Sequence, residues 1–163
     1  MTRRGASPTV YRFAVVLAIV LGATPYLFAD DSDERRALEG VWDVAVTVRD
    51  CQTGAVVRLV SASNMFMRGG TLTEMNKRLS PASRSVSHGT WRPAGDHRFT
   101  SVFRFSRFNP ADGTFLGTQT VTRKITVSSD GNTFAANTVA EMFDATNQVI
   151  RRDCATEMAT RLE

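Results

Sequence analysis

From Gly40 onward the apolar residues of this chain recur at every second position, and short turn signals interrupt them at regular intervals. A period of two is the pleat of a half-buried strand, so the pattern points to antiparallel sheet. Over residues 41–49, Trp42, Val44, Val46 and Val48 share one face, while Asp43, Thr47 and Arg49 share the other. Gln52-Thr53-Gly54 turns the chain into a second strand over 55–67, and Gly69-Gly70 separates that from a third over 71–75. Residues 77–88, with Ser80, Pro81, Ser83, Ser85 and Ser87, form the longest irregular stretch.

A short strand from Thr90-Trp91 ends at Pro93-Ala94-Gly95-Asp96. The alternation then resumes over 97–108, with Phe99, Phe103 and Phe105 on one face. Asn109-Pro110-Ala111-Asp112-Gly113, Ser129-Asp130-Gly131-Asn132 and Asp144-Ala145-Thr146-Asn147 divide the remainder into strands over 115–128, 133–143 and 149–161. Gly, Asp and Asn supply the positive φ angles that tight hairpins need. After residue 29 no helix of three turns can be placed. About eight strands joined by short turns make an up-and-down meander, which hides its edges best by closing into a barrel. The fold expected is therefore all-β, an up-and-down antiparallel β-barrel of about eight strands.

The amino terminus is organised differently. Arg3, Arg4 and Arg12 precede an apolar run from Phe13 to Leu21, Gly22 and Pro25 break it, and Leu27-Phe28-Ala29 ends on a small residue before Asp30-Asp31. That order reads as a secretion signal over 1–29, followed by a polar lead-in over 30–39 and the barrel domain over 40–163. The alternative, a retained membrane anchor, would need about 20 uninterrupted apolar residues. No stable membrane span is expected after cleavage, and the destination would be the periplasm or the exterior of the cell.

Cleavage also changes the charge. Three of the 20 basic residues lie in the signal, which leaves 17 against 16 acids and a net charge of +1. A nucleic-acid partner, which requires a basic face, is not supported. In an exported chain the two cysteines, Cys51 and Cys154, are expected to form a disulfide rather than a metal or redox site. If the first strand pairs antiparallel with the last through these cysteines, Trp42 falls beside Glu163 and Val44 beside Arg161. Strict alternation from Trp42 puts Cys51 on the outer face, so an inward Cys51 would need a bulge.

Few residues suggest chemistry. His88 and His97 are the only histidines. A metal site would need three or four His, Cys, Asp or Glu ligands converging and a haem site one axial His, whereas both residues are expected at the surface or the barrel mouth. Ser85, Ser87 and His88 could be drawn as nucleophile and base, but no nucleophile elbow surrounds the serines. No catalytic residue, metal ligand or cofactor is assigned. Glu74 and Glu141, with Arg104 and Arg123, would make an inward polar cluster, unless they are ordinary outward strand charges. The strongest functional candidate is the barrel interior, with Trp42, Phe66, Trp91, Phe99, Phe103, Phe105, Phe134 and Met142 as large apolar surfaces. Ala136, Thr138 and Ala140 are small and leave room. Such a barrel is either filled by its own side chains or holds one small, mainly apolar ligand.

Gly40-Val41-Trp42 at the head of the first strand, with Arg161 near the end of the last, resembles the lipocalin and wider calycin pattern. The resemblance implies that Trp42 packs across a barrel floor and that Arg161 lies over it. Some calycin-like barrels are isomerases or cyclases, which leaves an enzyme, or a solid-core envelope interaction module, as alternatives to a binding protein. Residues 40–163 also resemble a group of uncharacterised exported bacterial proteins. That resemblance rests on Cys51-Gln52-Thr53-Gly54, the segment from Phe66 to Glu74, His88-Gly89-Thr90-Trp91, the segment from Phe105 to Gly113, and Cys154-Ala155-Thr156-Glu157.

Overall fold

In the computed structural model, which describes residues 36–162, the alternating segments form eight antiparallel strands. They are β1 (Gly40–Arg49), β2 (Val56–Met67), β3 (Thr71–Asn76), β4 (Ser87–Pro93), β5 (Arg98–Phe108), β6 (Phe115–Val127), β7 (Thr133–Phe143) and β8 (Val149–Arg161). Each pairs with its neighbours in sequence, and β1 pairs with β8, so the meander closes into a barrel without a sheet edge. The expected signal over 1–29 and most of the lead-in lie outside the described residues. Among those described, no helix is long and apolar enough to cross a membrane.

β4 starts three residues earlier than its sequence pattern suggests. Ser87 pairs with Glu74 of β3, and its hydroxyl donates to the Glu74 carbonyl at 2.7 Å, so a serine in a Ser-rich stretch is drawn into the ladder. The irregular segment shrinks to residues 77–86, with one short 3-10 turn at Pro81–Ser83.

Closure also occurs in a different register from the one that places the cysteines opposite each other. Trp42 faces Arg161, not Glu163, and the ladder ends at Arg49 opposite Cys154. The cause is the turn that follows β1. Asp50 Oδ1 accepts hydrogen bonds from the backbone N–H groups of Gln52 at 2.9 Å and Thr53 at 2.8 Å. That turn takes Cys51 out of the strand, and it joins Cys154 diagonally in a disulfide with a Cα separation of 5.0 Å. The displacement is two residues, an even number, so every side chain keeps its face. Cys154 shares the outer face with Arg49, and no inward Cys51 is needed.

The end of the barrel formed by the start of β1 and the end of β8 is solid. Trp42, Phe66, Trp91, Phe99 and Phe134 are all buried there. The Trp42 and Phe134 ring centroids are 4.9 Å apart, and Phe66 meets Trp91 edge-on at 6.1 Å. Both indole N–H groups have acceptors, Trp42 donating to Leu38 O at 2.9 Å and Trp91 to Thr71 O at 3.0 Å. Arg161 seals the floor from outside. Its guanidinium lies 4.2 Å from the centroid of Trp42 and donates to Gly131 O at 2.8 Å and Ala37 O at 2.7 Å. Gly40 is small for a reason. Its φ is +121°, and a Cβ there would stand 2.7 Å from Arg161 Nη1.

Four hairpins are tied by an aspartate whose carboxylate accepts turn N–H groups: Asp50, Asp112, Asp130 and Asp144. These bonds favour the charged form and lower each pKa below the ordinary aspartate value. A folded-state pKa below the unfolded one adds stability that is complete above the unfolded value. It is lost as pH falls through the folded value. The barrel should therefore lose thermal stability on acidification below the ordinary aspartate range. Asp→Asn replacement at all four turns should flatten that part of the Tm-against-pH curve; an unchanged slope would show that the turns do not contribute it.

Candidate functional site

Above the aromatic floor the inward residues become small, and a cavity of about 430 Å3 opens. The change is visible along individual strands. On β7 the inward series runs from Phe134 to Ala136, Thr138, Ala140 and Met142, and on β1 it runs from Trp42 to Val44, Val46 and Val48. The cavity reaches solvent at the end opposite the floor, where the exposed Leu59 and Leu79 form part of its wall. Loops and strand starts around that mouth carry further exposed apolar side chains, including Val57, Phe115, Leu116, Val149 and Ile150.

The eight residues singled out as interior surfaces divide into two groups. Trp42, Phe66, Trp91, Phe99 and Phe134 belong to the floor and do not border the cavity. Phe103, Phe105 and Met142 line it, together with Thr138 and Ala140.

The expected polar cluster is half inside. Glu74 and Arg123 are buried in the cavity wall. Glu141 lies on the outer face beside Arg152, and Arg104 Nε donates outside to Thr120 Oγ1 at 2.9 Å. The inward pair are not each other's partners. Arg123 meets Glu157 at 3.3 Å and donates to Ser101 Oγ at 2.9 Å. Its guanidinium also lies 4.7 Å from the centroid of Phe103 and 5.4 Å from that of Phe66. Thr138 Oγ1 donates to the other Glu157 oxygen at 2.8 Å.

Glu74 is held by Arg84 from the 77–86 segment, at 2.6 Å, and Ser87 Oγ lies 3.1 Å from the same carboxylate oxygen. Arg84 also stacks on Phe105, 3.5 Å from its centroid, so it pins this segment across part of the mouth. Asp153, nearer the rim, accepts from Arg151 at 2.8 Å. Farther round, Arg107 donates to Met142 Sδ at 2.8 Å and to the carbonyls of Leu116 and Phe143. Burial lowers its pKa below the ordinary arginine value.

The sequence pattern did not single out Glu157, Asp153, Arg84, Arg107 or Asn64. A signal existed for four of them: Asp153 and Glu157 share the parity of Ala155, Ala159 and Arg161 on β8, the inward set, and Arg107 that of Phe103 and Phe105 on β5. Asn64 likewise shares the parity of Ala62 and Phe66 on β2. Arg84 gave none, because it reaches the barrel from a loop.

Ser87 and His88 are adjacent in β4 and point to opposite faces, with Ser87 inside. His97 lies in the exposed turn before β5, at a φ of +58°. Among the described residues no three His, Cys, Asp or Glu side chains gather as a metal site.

What fold and site define is a closed up-and-down antiparallel barrel, consistent with the calycin architecture, with one end packed and a cavity at the other. No protein-family model matches the chain, and no curated protein does.

Proposed function

We propose that this protein is an exported carrier that binds one small, mainly apolar molecule in the barrel cavity. The observation that carries the reading is the cavity itself, about 430 Å3 with Val, Ala, Phe and Met side chains over much of its wall. Its size is within the usual range for small-molecule sites, roughly 300–1,000 Å3. The apolar rim supports the reading, because exposed apolar surface around an opening favours the arrival of an apolar molecule. The Cys51–Cys154 bridge supports an oxidising compartment, and the lead segment supports export to the periplasm or beyond. The Gly40-Val41-Trp42 and Arg161 arrangement supports a lipocalin-like relationship.

Native mass spectrometry of the secreted protein should show an added small mass that is lost on denaturation. Ala140→Trp, which places an indole in the cavity, should abolish that mass while the thermal midpoint is retained. If Ala140→Trp carries the same mass as the parent, the molecule is bound elsewhere and the reading fails. A second reading, an isomerase- or cyclase-type barrel enzyme, is favoured by the ion pairs Glu74–Arg84 and Arg123–Glu157 in the cavity wall. Recovery of a chemically converted compound after incubation would move the assignment to that class.

A further inference from the structure

The base of the cavity contains hydrogen-bonding capacity that the protein does not use. Asn64 is 1% exposed, and neither its Oδ1 nor its Nδ2 has a partner. Arg123, also 1% exposed, has Nη2 without one. Both side chains line the cavity, and both are next to the floor. Asn64 is two residues before Phe66 on the same face of β2, and the Arg123 guanidinium stands 5.4 Å over the Phe66 ring.

Nothing in the packing calls for an amide at position 64. The inward neighbours on β2 are Val60, Ala62 and Phe66, and the inward residues paired with Asn64 across the ladder are Trp42 and Glu74. Its amide bonds to none of them, Glu74 being taken by Arg84 and Ser87. A buried amide without partners costs free energy that an apolar side chain of similar size would not. Turning the amide over changes nothing, since both of its ends are unpartnered.

The three unused groups determine the complement. Arg123 Nη2 and Asn64 Nδ2 donate, and Asn64 Oδ1 accepts, so a matching head group must carry both an acceptor and a donor. It must also be uncharged. Arg123 is already neutralised by Glu157 at 3.3 Å, and an added carboxylate would stand close to that acid in a poorly solvated pocket. A carboxylate would also leave Asn64 Oδ1 unmatched, and an ammonium group would meet the Arg123 charge.

We infer that the bound molecule enters head first, with a neutral donor–acceptor group, an amide or hydroxyl, on Asn64 and Arg123. Its apolar body then lies against Phe103, Val121 and the β1 valines. The inference rests on the carrier reading and names the class of molecule carried.

The test is calorimetric titration of the purified chain at neutral pH with decanamide, decanol, methyl decanoate, decanoate and decylammonium. These share a tail and differ in whether the head donates, accepts or is charged. Decanamide and decanol should bind about tenfold or more tighter than methyl decanoate, which only accepts. Asn64→Leu should bring amide and ester within about threefold of each other, because the Asn64 Oδ1 acceptor that distinguishes them is gone while Arg123 Nη2 still serves both carbonyls. A raised thermal midpoint in Asn64→Leu would show that the variant is folded, and the ratios in the parent protein do not depend on any variant. Equal affinities for amide and ester, or tightest binding of decanoate, would overturn the head-group assignment while leaving a carrier. Failure of every compound to bind would remove the carrier reading and this inference with it.

Discussion

Glu157→Ala is expected to destabilise the barrel by about 3–5 kcal/mol. The carboxylate is 4% exposed and is the acid that meets Arg123, which is 1% exposed. Removing it leaves a guanidinium buried among Phe66, Phe103 and Ser101, where the rings and one hydroxyl do not replace a counter-charge. The pair as a whole is worth far less than that figure, because its Coulombic attraction mostly offsets the cost of desolvating both ions. The double variant Arg123→Met, Glu157→Leu should therefore recover most of the stability lost in Glu157→Ala. Urea unfolding followed by tryptophan fluorescence would read both. A loss below about 1 kcal/mol in the single variant would mean that the cavity base is solvated and the pair is weaker than its burial implies.

Replacing both cysteines, Cys51→Ser with Cys154→Ser, should cost about 4–5 kcal/mol by the chain-entropy model. The bridge closes a loop with a sequence separation of 103 residues, and most of its effect lies in the unfolded chain. The folded barrel does not depend on it for closure. Eight residue pairs, from Trp42 with Arg161 to Arg49 with Cys154, hold β1 against β8. Native circular dichroism should survive, while the urea midpoint falls by an amount that reductant reproduces in the parent protein. Loss of the β-sheet signal in the absence of denaturant would show that the disulfide, and not the β1–β8 ladder, closes the ring.

Strand positions were legible because their causes are local. The pleat puts Trp42, Val44 and Val46 on one face wherever the strand lies, and the turn residues between strands carry their own hydrogen bonds. The closing register was misread by two residues for an equally local reason, the Asp50 turn that removes Cys51 from the ladder. Glu141 and Arg104 illustrate the limit of residue type alone, since both are charged, stand in mixed strands and prove to lie outside.

By itself the sequence determined which large apolar residues face inward, the order of the strands, the closure of the first upon the last and the pairing of the two cysteines. Each follows from a two-residue period, from turn chemistry or from a single long-range link. The tertiary structure decided how high each inward residue stands along the barrel axis, which depends on the register of all eight strands at once. That height separates Phe99, packed in the floor, from Phe103 and Phe105, four and six residues on, which line an open cavity. It also decided that Arg123 meets Glu157, 34 residues away, and that Asn64 is enclosed without a partner. Alternation distinguishes inside from outside, but only the closed ring brings side chains from different strands to the same depth.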